Sequence, residues 1–126
     1  LALREIHQAM RKGGRLILST PHNIRLYTLL DPGFYVKHHR HYERAHINRL
    51  VESSGFNIID TFASGGIMTC MSVLWYCLIT YPVWRMLGRR MPYAPRSFVM
   101  REDREYNRLN EKGYTLFLEA RKESEF

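Results

Sequence analysis

Apolar residues in this sequence alternate between a three-to-four-residue spacing and unbroken runs, and the changeovers fall at glycines and prolines. Leu3, Ile6 and Met10 recur at helical spacing, with Glu5 and Gln8 off that face. Arg11-Lys12 in the last turn and Gly13-Gly14 then stop the helix. The run Arg15-Leu16-Ile17-Leu18-Ser19-Thr20-Pro21, bounded by Gly and Pro, predicts a central parallel strand buried on both faces. Helix, double glycine and buried strand make the αβ step of a doubly wound sheet, in which ligands bind beyond the carboxyl ends of strands. Ser19, Thr20, Pro21, His22 and Asn23 are therefore expected at the mouth of a site.

From His22 to Tyr42 the chain carries mixed aromatics, Asp31-Pro32-Gly33 and the basic run Lys37-His38-His39-Arg40-His41-Tyr42. It reads as a long functional loop. Ala45, Ile47, Leu50 and Val51 form a helical stripe closed by Ser53-Ser54-Gly55, and residues 56–62 (FNIIDTF) read as an edge strand because Asp60 interrupts the apolar positions. No charged residue stands between Thr61 and Trp84. Within that stretch Thr69, Ser72, Tyr76 and Thr80 form a weakly polar stripe, while Gly65-Gly66 and Pro82 bracket a helix of about four turns. Such a segment suits a helix over a pocket or in a membrane interface better than a span. Arg85, Arg89, Arg90 and Arg96 follow, then Pro92 and Pro95 break the chain before the charged stretch 101–112. Residues 114–122 (YTLFLEARK) predict a closing strand that is apolar on both faces. No internal repeat or low-complexity tract is present.

Composition narrows the class. A chain of 126 residues that is 45% hydrophobic and 25% charged is one domain or less, and disorder and collagen-like structure are excluded. Nineteen basic residues against twelve acidic ones give +7, which favours acidic ligands, nucleic acid or anionic lipid without choosing among them. Cys70 and Cys77 on one helix are separated by a rise of about 10 Å, too far for a disulfide. A reducing compartment is expected. Leu1 lies inside a helical pattern with no charged region leading into an apolar one, so the chain is expected to be the back part of a longer protein.

The ordered series LREIHQAMRKGGRLILSTPHN, HHRHYERAHINRLVESSGFNII and GYTLFLEARK resembles the C-terminal half of class I S-adenosylmethionine-dependent methyltransferases. It looks most like the branch that modifies small molecules, quinone precursors or other lipid-like acceptors. The match covers residues 1–64 and 113–122. The resemblance implies an α/β fold, the C-terminal part of a Rossmann-like sheet: residues 15–20 as the fifth strand, 57–62 as the sixth, and 114–121 as an antiparallel seventh between them. Residues 67–104 would form a helical insertion. S-adenosylmethionine would be the cofactor, held by a half upstream of Leu1, and the fragment alone would be inactive. The chain contains no Gly-x-Gly. Lys12 replaces the usual proline before Gly-Gly, His22 separates Pro21 from Asn23, and Glu43 stands where Ser or Thr usually caps the next helix.

On this reading Ser19, Thr20, Pro21, His22, Asn23 and Tyr42 would contact the acceptor, with Tyr76 joining them from a lid helix. His39 and His41 are candidates for a general base, since histidine titrates near neutrality and their loop faces the acceptor. The alternative is that His41 and Tyr42 pack and hydrogen-bond to fix the loop. His38, His39, His41 and His46 suggest a metal cluster at first sight, but no carboxylate or cysteine accompanies them at a recognised ligand spacing, and no metal is expected. Nucleic acid is not expected either, for want of a stacking platform or binding motif. The partners expected are a small or lipid-like acceptor and a peripheral membrane contact through 67–90. The location expected is cytoplasmic, including the inner face of a membrane. A second reading makes the chain a non-catalytic membrane-associated or scaffold module that works through the apolar helix 67–84.

Overall fold

A computed structural model describes residues 2–38 and 40–123. The double glycine works as the sequence implies. Helix α1 (Ala2–Ala9) ends before Gly13, whose φ of +75° is a left-handed conformation that glycine tolerates. The amide of Gly13 donates to the Lys122 carbonyl, and that of Lys122 to the Gly14 carbonyl. The Lys122 ammonium donates to the carbonyls of His7 and Met10 at 2.6 and 3.0 Å, placing a cation on the carbonyl end of α1.

Strand β1 (Arg15–Pro21) leads into two short helices, α2 (Arg25–Leu30) and α3 (Pro32–Lys37). The segment expected to be a long functional loop is therefore partly helical. Helix α4 (Arg44–Glu52) follows, and Glu43 at its N-cap makes no side-chain cap bond. Of its expected stripe, Ile47 and Val51 are buried, whereas Ala45 and Leu50 are exposed. Strand β2 (Phe56–Ser64) and strand β3 (Thr115–Lys122) complete a three-stranded sheet in the order β1-β3-β2, with β3 antiparallel to both neighbours.

The core forms where α4 covers one face of β2 and β3: Ile47, Val51, Phe56, Ala63, Leu116, Leu118 and Ala120 are buried, and Leu3, Met10, Leu16 and Leu18 pack against them. A register shift between Ile58 and Asp60 explains the mixed character of β2. Phe56 and Ile58 stand opposite Lys122 and Ala120, and Thr61 and Ala63 opposite Leu118 and Leu116, so the bulge flips the alternation and turns Asp60 out of the core face. Phe62 then stacks on Phe117 across the other face, with ring centroids 5.2 Å apart. This is how β3 uses apolar residues on both sides.

Strand β1 departs from expectation. Among the described residues it pairs only with β3, so it is an antiparallel edge rather than a central parallel strand. Its side chains alternate: Leu16 and Leu18 are half-buried against the core, while Ile17 is 72% exposed because no described element lies over that face.

The connection from β2 to β3 carries helices α5 (Ile67–Trp75), α6 (Tyr81–Leu87) and α7 (Arg96–Tyr106). Pro82 does not end the apolar helix, as the sequence reading supposed. A π turn over residues 76–80 joins α5 to α6, and the Tyr81 amide reaches back to the Tyr76 carbonyl. The wider turn accommodates a residue that has no amide proton and whose ring crowds the preceding turn. At its start α5 lacks a side-chain cap of its own, but Glu105 on α7 accepts a bond from the Met68 amide at 3.0 Å. A carboxylate on the positive end of a helix is stabilising.

Candidate functional site

The carboxyl end of β1 is stitched to the segment before α4 by main-chain bonds. The Tyr42 amide donates to the Pro21 carbonyl (3.0 Å) and the Asn23 amide to the Tyr42 carbonyl (2.9 Å). His22, buried between them, donates its own amide to the Tyr114 carbonyl and its Nδ1 proton to the Gly113 carbonyl at 3.0 Å. Its imidazole therefore ties β1 to the start of β3.

Asp31-Pro32-Gly33 builds the next piece. Asp31 caps α3 by accepting from the Gly33 amide at 2.8 Å, with Pro32 at the first helical position. Its second oxygen lies 2.9 Å from His41 Nε2, and His41 Nδ1 lies 3.1 Å from the His22 carbonyl. A carbonyl only accepts, so Nδ1 carries a proton. The Asp31–His41 contact is then an imidazolium–carboxylate pair or a neutral hydrogen bond with one shared proton. Both side chains are almost completely buried, at 6% and 2% exposure. Phe34 meets the His41 ring edge-on at 6.0 Å.

Beside this pair opens a cavity of about 930 Å³, whose walls include Asn23, Tyr35, Arg40, Tyr42, His46 and Arg49. Glu43 is the one acidic side chain among its described lining residues. Aromatic surface with two guanidinium groups suits a ligand that has an apolar body and an acidic or polar group.

Of the residues expected to contact the acceptor or act as base, Asn23, Tyr42 and His41 come together here. Ser19 and Thr20 lie inside the β1–β3 ladder, opposite Phe117 and Leu116, and Pro21 contributes its carbonyl to the Tyr42 bond. His22 faces Gly113. Tyr76 lies apart, in a cleft of about 210 Å³ with Tyr81, Trp84 and Arg90. His39 lies outside the described residues. His41 reaches the cavity wall with both ring nitrogens engaged, an arrangement that fixes the loop. Among the described residues no three His, Cys, Asp or Glu side chains converge on a point that would hold a metal ion. Asp31 was not singled out from the sequence as a site residue. The available signal was the Asp-Pro-Gly cap itself, which fixes a carboxylate whose second oxygen remains free to pair.

Tyr114, whose carbonyl accepts from the His22 amide, meets Tyr27 at a ring-centroid distance of 5.4 Å. Burial raises its phenol well above the ordinary 10.0, with Asp31 adding to the effect. The folded form thus holds this proton more tightly than the unfolded chain. The stability linked to it is fully present below about pH 10 and declines as the pH rises beyond that. Burial also raises Tyr93 and Tyr27, so a spectrophotometric titration should show a late tyrosine component that is reduced, not abolished, in a Tyr114→Phe variant and that appears together with alkaline unfolding.

The backbone arrangement has a counterpart among solved structures. Over 97% of its length the chain superposes, with a TM-score of 0.51 and 17% identity, on a Bacillus halodurans C-125 protein that carries a provisional methyltransferase assignment. The two chains share a fold. The present chain spans 57% of that protein's length. No protein-family model matches the sequence, and no curated protein is significantly similar to it. The likeness agrees with the α/β, methyltransferase-like architecture implied by the sequence resemblance, and the observed strand order agrees with an antiparallel strand between two others.

Proposed function

We propose that this chain is the acceptor-side part of an S-adenosylmethionine-dependent methyltransferase of class I, acting on a small or lipid-like molecule in the cytoplasm. β1, β2 and β3 would be the fifth, sixth and seventh strands of a larger Rossmann-like sheet, with the rest added on the open edge of β1. The observation that carries the reading is the cavity at the carboxyl end of β1, in a fold shared with a protein assigned as a methyltransferase.

The cofactor, when bound, supplies an electrophilic methyl group. The residues of this chain fit the other reactant better: the cavity wall carries aromatic rings and guanidinium groups, and the sequence has no Gly-x-Gly to cradle an adenosyl group. Tyr35 and Tyr42 would flank the acceptor's apolar body, while Arg40 and Arg49 would hold an acidic or polar group. The Asp31–His41 pair would keep the Tyr42 segment at the end of β1. Fixing the acceptor in line removes much of the entropic barrier to transfer.

Calorimetric titration of S-adenosylmethionine into the complete protein, with the 126-residue chain as control, tests the proposal. Binding by the complete protein and not by this chain is expected. A complete protein that never binds the cofactor overturns it.

A further inference from the structure

The helix from Ile67 to Leu87 turns hydroxyl groups inward beside buried Cys70 and leaves much of its aliphatic surface outward. Its polar residues Thr69, Ser72 and Thr80 are buried at 5%, 0% and 3% exposure, whereas Ile67, Met71 and Leu78, on the opposite side, are 41%, 41% and 69% exposed. Towards its end Met86 and Leu87 stand 82% and 67% exposed. Among the described residues Thr69 Oγ1 and Ser72 Oγ have no hydrogen-bond partner although both are shielded from solvent, whereas Thr80 Oγ1 lies 3.3 Å from the Pro92 and Tyr93 carbonyls. Turning hydroxyls inward unsatisfied and aliphatic side chains outward is unfavourable in water, because both choices forgo stabilisation that the reverse orientation would give. The orientation makes sense if the outer face meets something apolar.

The surroundings say what that is. No charged residue occurs from Thr61 to Trp84, and Arg85, Arg89 and Arg90 then follow together, all exposed. None of the three pairs with a carboxylate among the described residues. Arg90 borders a small cleft with Tyr76, Tyr81 and Trp84, so guanidinium and amphipathic aromatic groups sit at one end of the apolar face. Tyrosine and tryptophan favour the boundary between hydrocarbon and headgroup, and arginine favours anionic lipid. A folded partner protein would more commonly be met by a mixed polar rim.

From this arrangement we infer that the outer face of α5 and α6 docks in the plane of an anionic lipid bilayer, with the cleft at Arg90 receiving an acidic headgroup. The helix has the length and hydropathy of a span, but α5 is anchored on α7 and α2, and its first turn is capped by Glu105 from α7. Crossing a bilayer would strip those contacts or drag the charged α7 into hydrocarbon. Docking therefore leaves the helix lying on the surface. The inference stands independently of methyl transfer.

Flotation of the complete protein with vesicles of phosphatidylcholine alone, or of phosphatidylcholine mixed with phosphatidylglycerol, is the test. Co-flotation with the anionic vesicles is expected, with at least a tenfold loss of binding for Leu78→Asp/Met86→Asp and, separately, for Arg89→Glu/Arg90→Glu. These side chains are exposed, so circular dichroism should report an unchanged fold. The emission lost on Trp84→Phe in a Trp75→Phe background, taken as the difference between the two variants, should shift to the blue on binding. Failure to float with anionic vesicles overturns the inference, as does binding that survives Leu78→Asp/Met86→Asp. A dimer in sedimentation without lipid that both pairs of substitutions abolish would assign the face to a second copy. Resistance to alkaline carbonate extraction would make the helix a span, and either result rejects in-plane docking.

Discussion

Alanine at Gly113 is expected to cost about 3 kcal/mol or more, above the usual range for overpacking, and to leave little folded protein. A Cβ placed there would stand 2.6 Å from the amide nitrogen, carbonyl carbon and carbonyl oxygen of Ser64. These are main-chain atoms of the last residue of β2, and they have no room to yield. Ser64 is paired with Thr115 in the ladder, and its hydroxyl lies within bonding distance of the Tyr106 and Arg108 carbonyls. Gly113 is held too, since its amide donates to Asn110 and its carbonyl accepts from His22. Relief of the clash would have to separate the ends of all three strands. Gly88→Ala is the control: nothing lies within 4 Å of the added carbon, so only its φ of +64° is penalised, at about 1–2 kcal/mol. Urea unfolding of the two variants should separate them clearly, and equal losses would show that the packing at Ser64 is not what Gly113 is needed for.

That crowding is invisible in the sequence, where Gly113 stands between the charged stretch 101–112 and the closing strand. What could be read was local: the glycine stop after α1, the strand identity of β1, β2 and β3, and the weak cap at Glu43. Each follows from spacing and residue type within a few positions. The misses are tertiary. The apolar run of β1 reads the same whether its second face is covered or bare, and Ile17 is left bare among the described residues. Pro82 is a helix breaker by propensity, but a π turn absorbs it. Of the stripe Thr69, Ser72, Tyr76 and Thr80, three members are buried and Tyr76 is exposed, and periodicity does not say whether that face points inward. For the site, the basic run located Tyr42 and His41 but gave no sign of Asp31 as their anchor, because the partners are brought together by the fold of two short helices.

That anchor gives the other large effect. His41→Ala is expected to destabilise the protein by about 3–5 kcal/mol where the pair is imidazolium and carboxylate, the range for removing one member of a buried ionic pair, and by about 1–3 kcal/mol where it is a neutral hydrogen bond whose partner is left unsatisfied. Asp31 is 5% exposed, and without the imidazole its carboxylate keeps only the Gly33 amide. The bond to the His22 carbonyl and the ring contact with Phe34 disappear in the same step. Asp31→Asn should be far milder, at about 1 kcal/mol, the net worth of one ordinary hydrogen bond. The amide oxygen can still accept from Gly33, and the amide nitrogen can donate to Nε2 of a neutral His41 whose Nδ1 proton is still donated to the His22 carbonyl. The double variant His41→Ala/Asp31→Asn should regain part of the loss, since no unpaired charge remains buried. Urea unfolding across this cycle measures the coupling directly, and limited proteolysis between Asp31 and Tyr42 should quicken in His41→Ala before the sheet opens. Equal losses for His41→Ala and Asp31→Asn, with no recovery in the double variant, would mean that the two side chains act separately. The segment carrying Tyr42 to the end of β1 would then owe its position to the main-chain bonds of Pro21 and Asn23 alone.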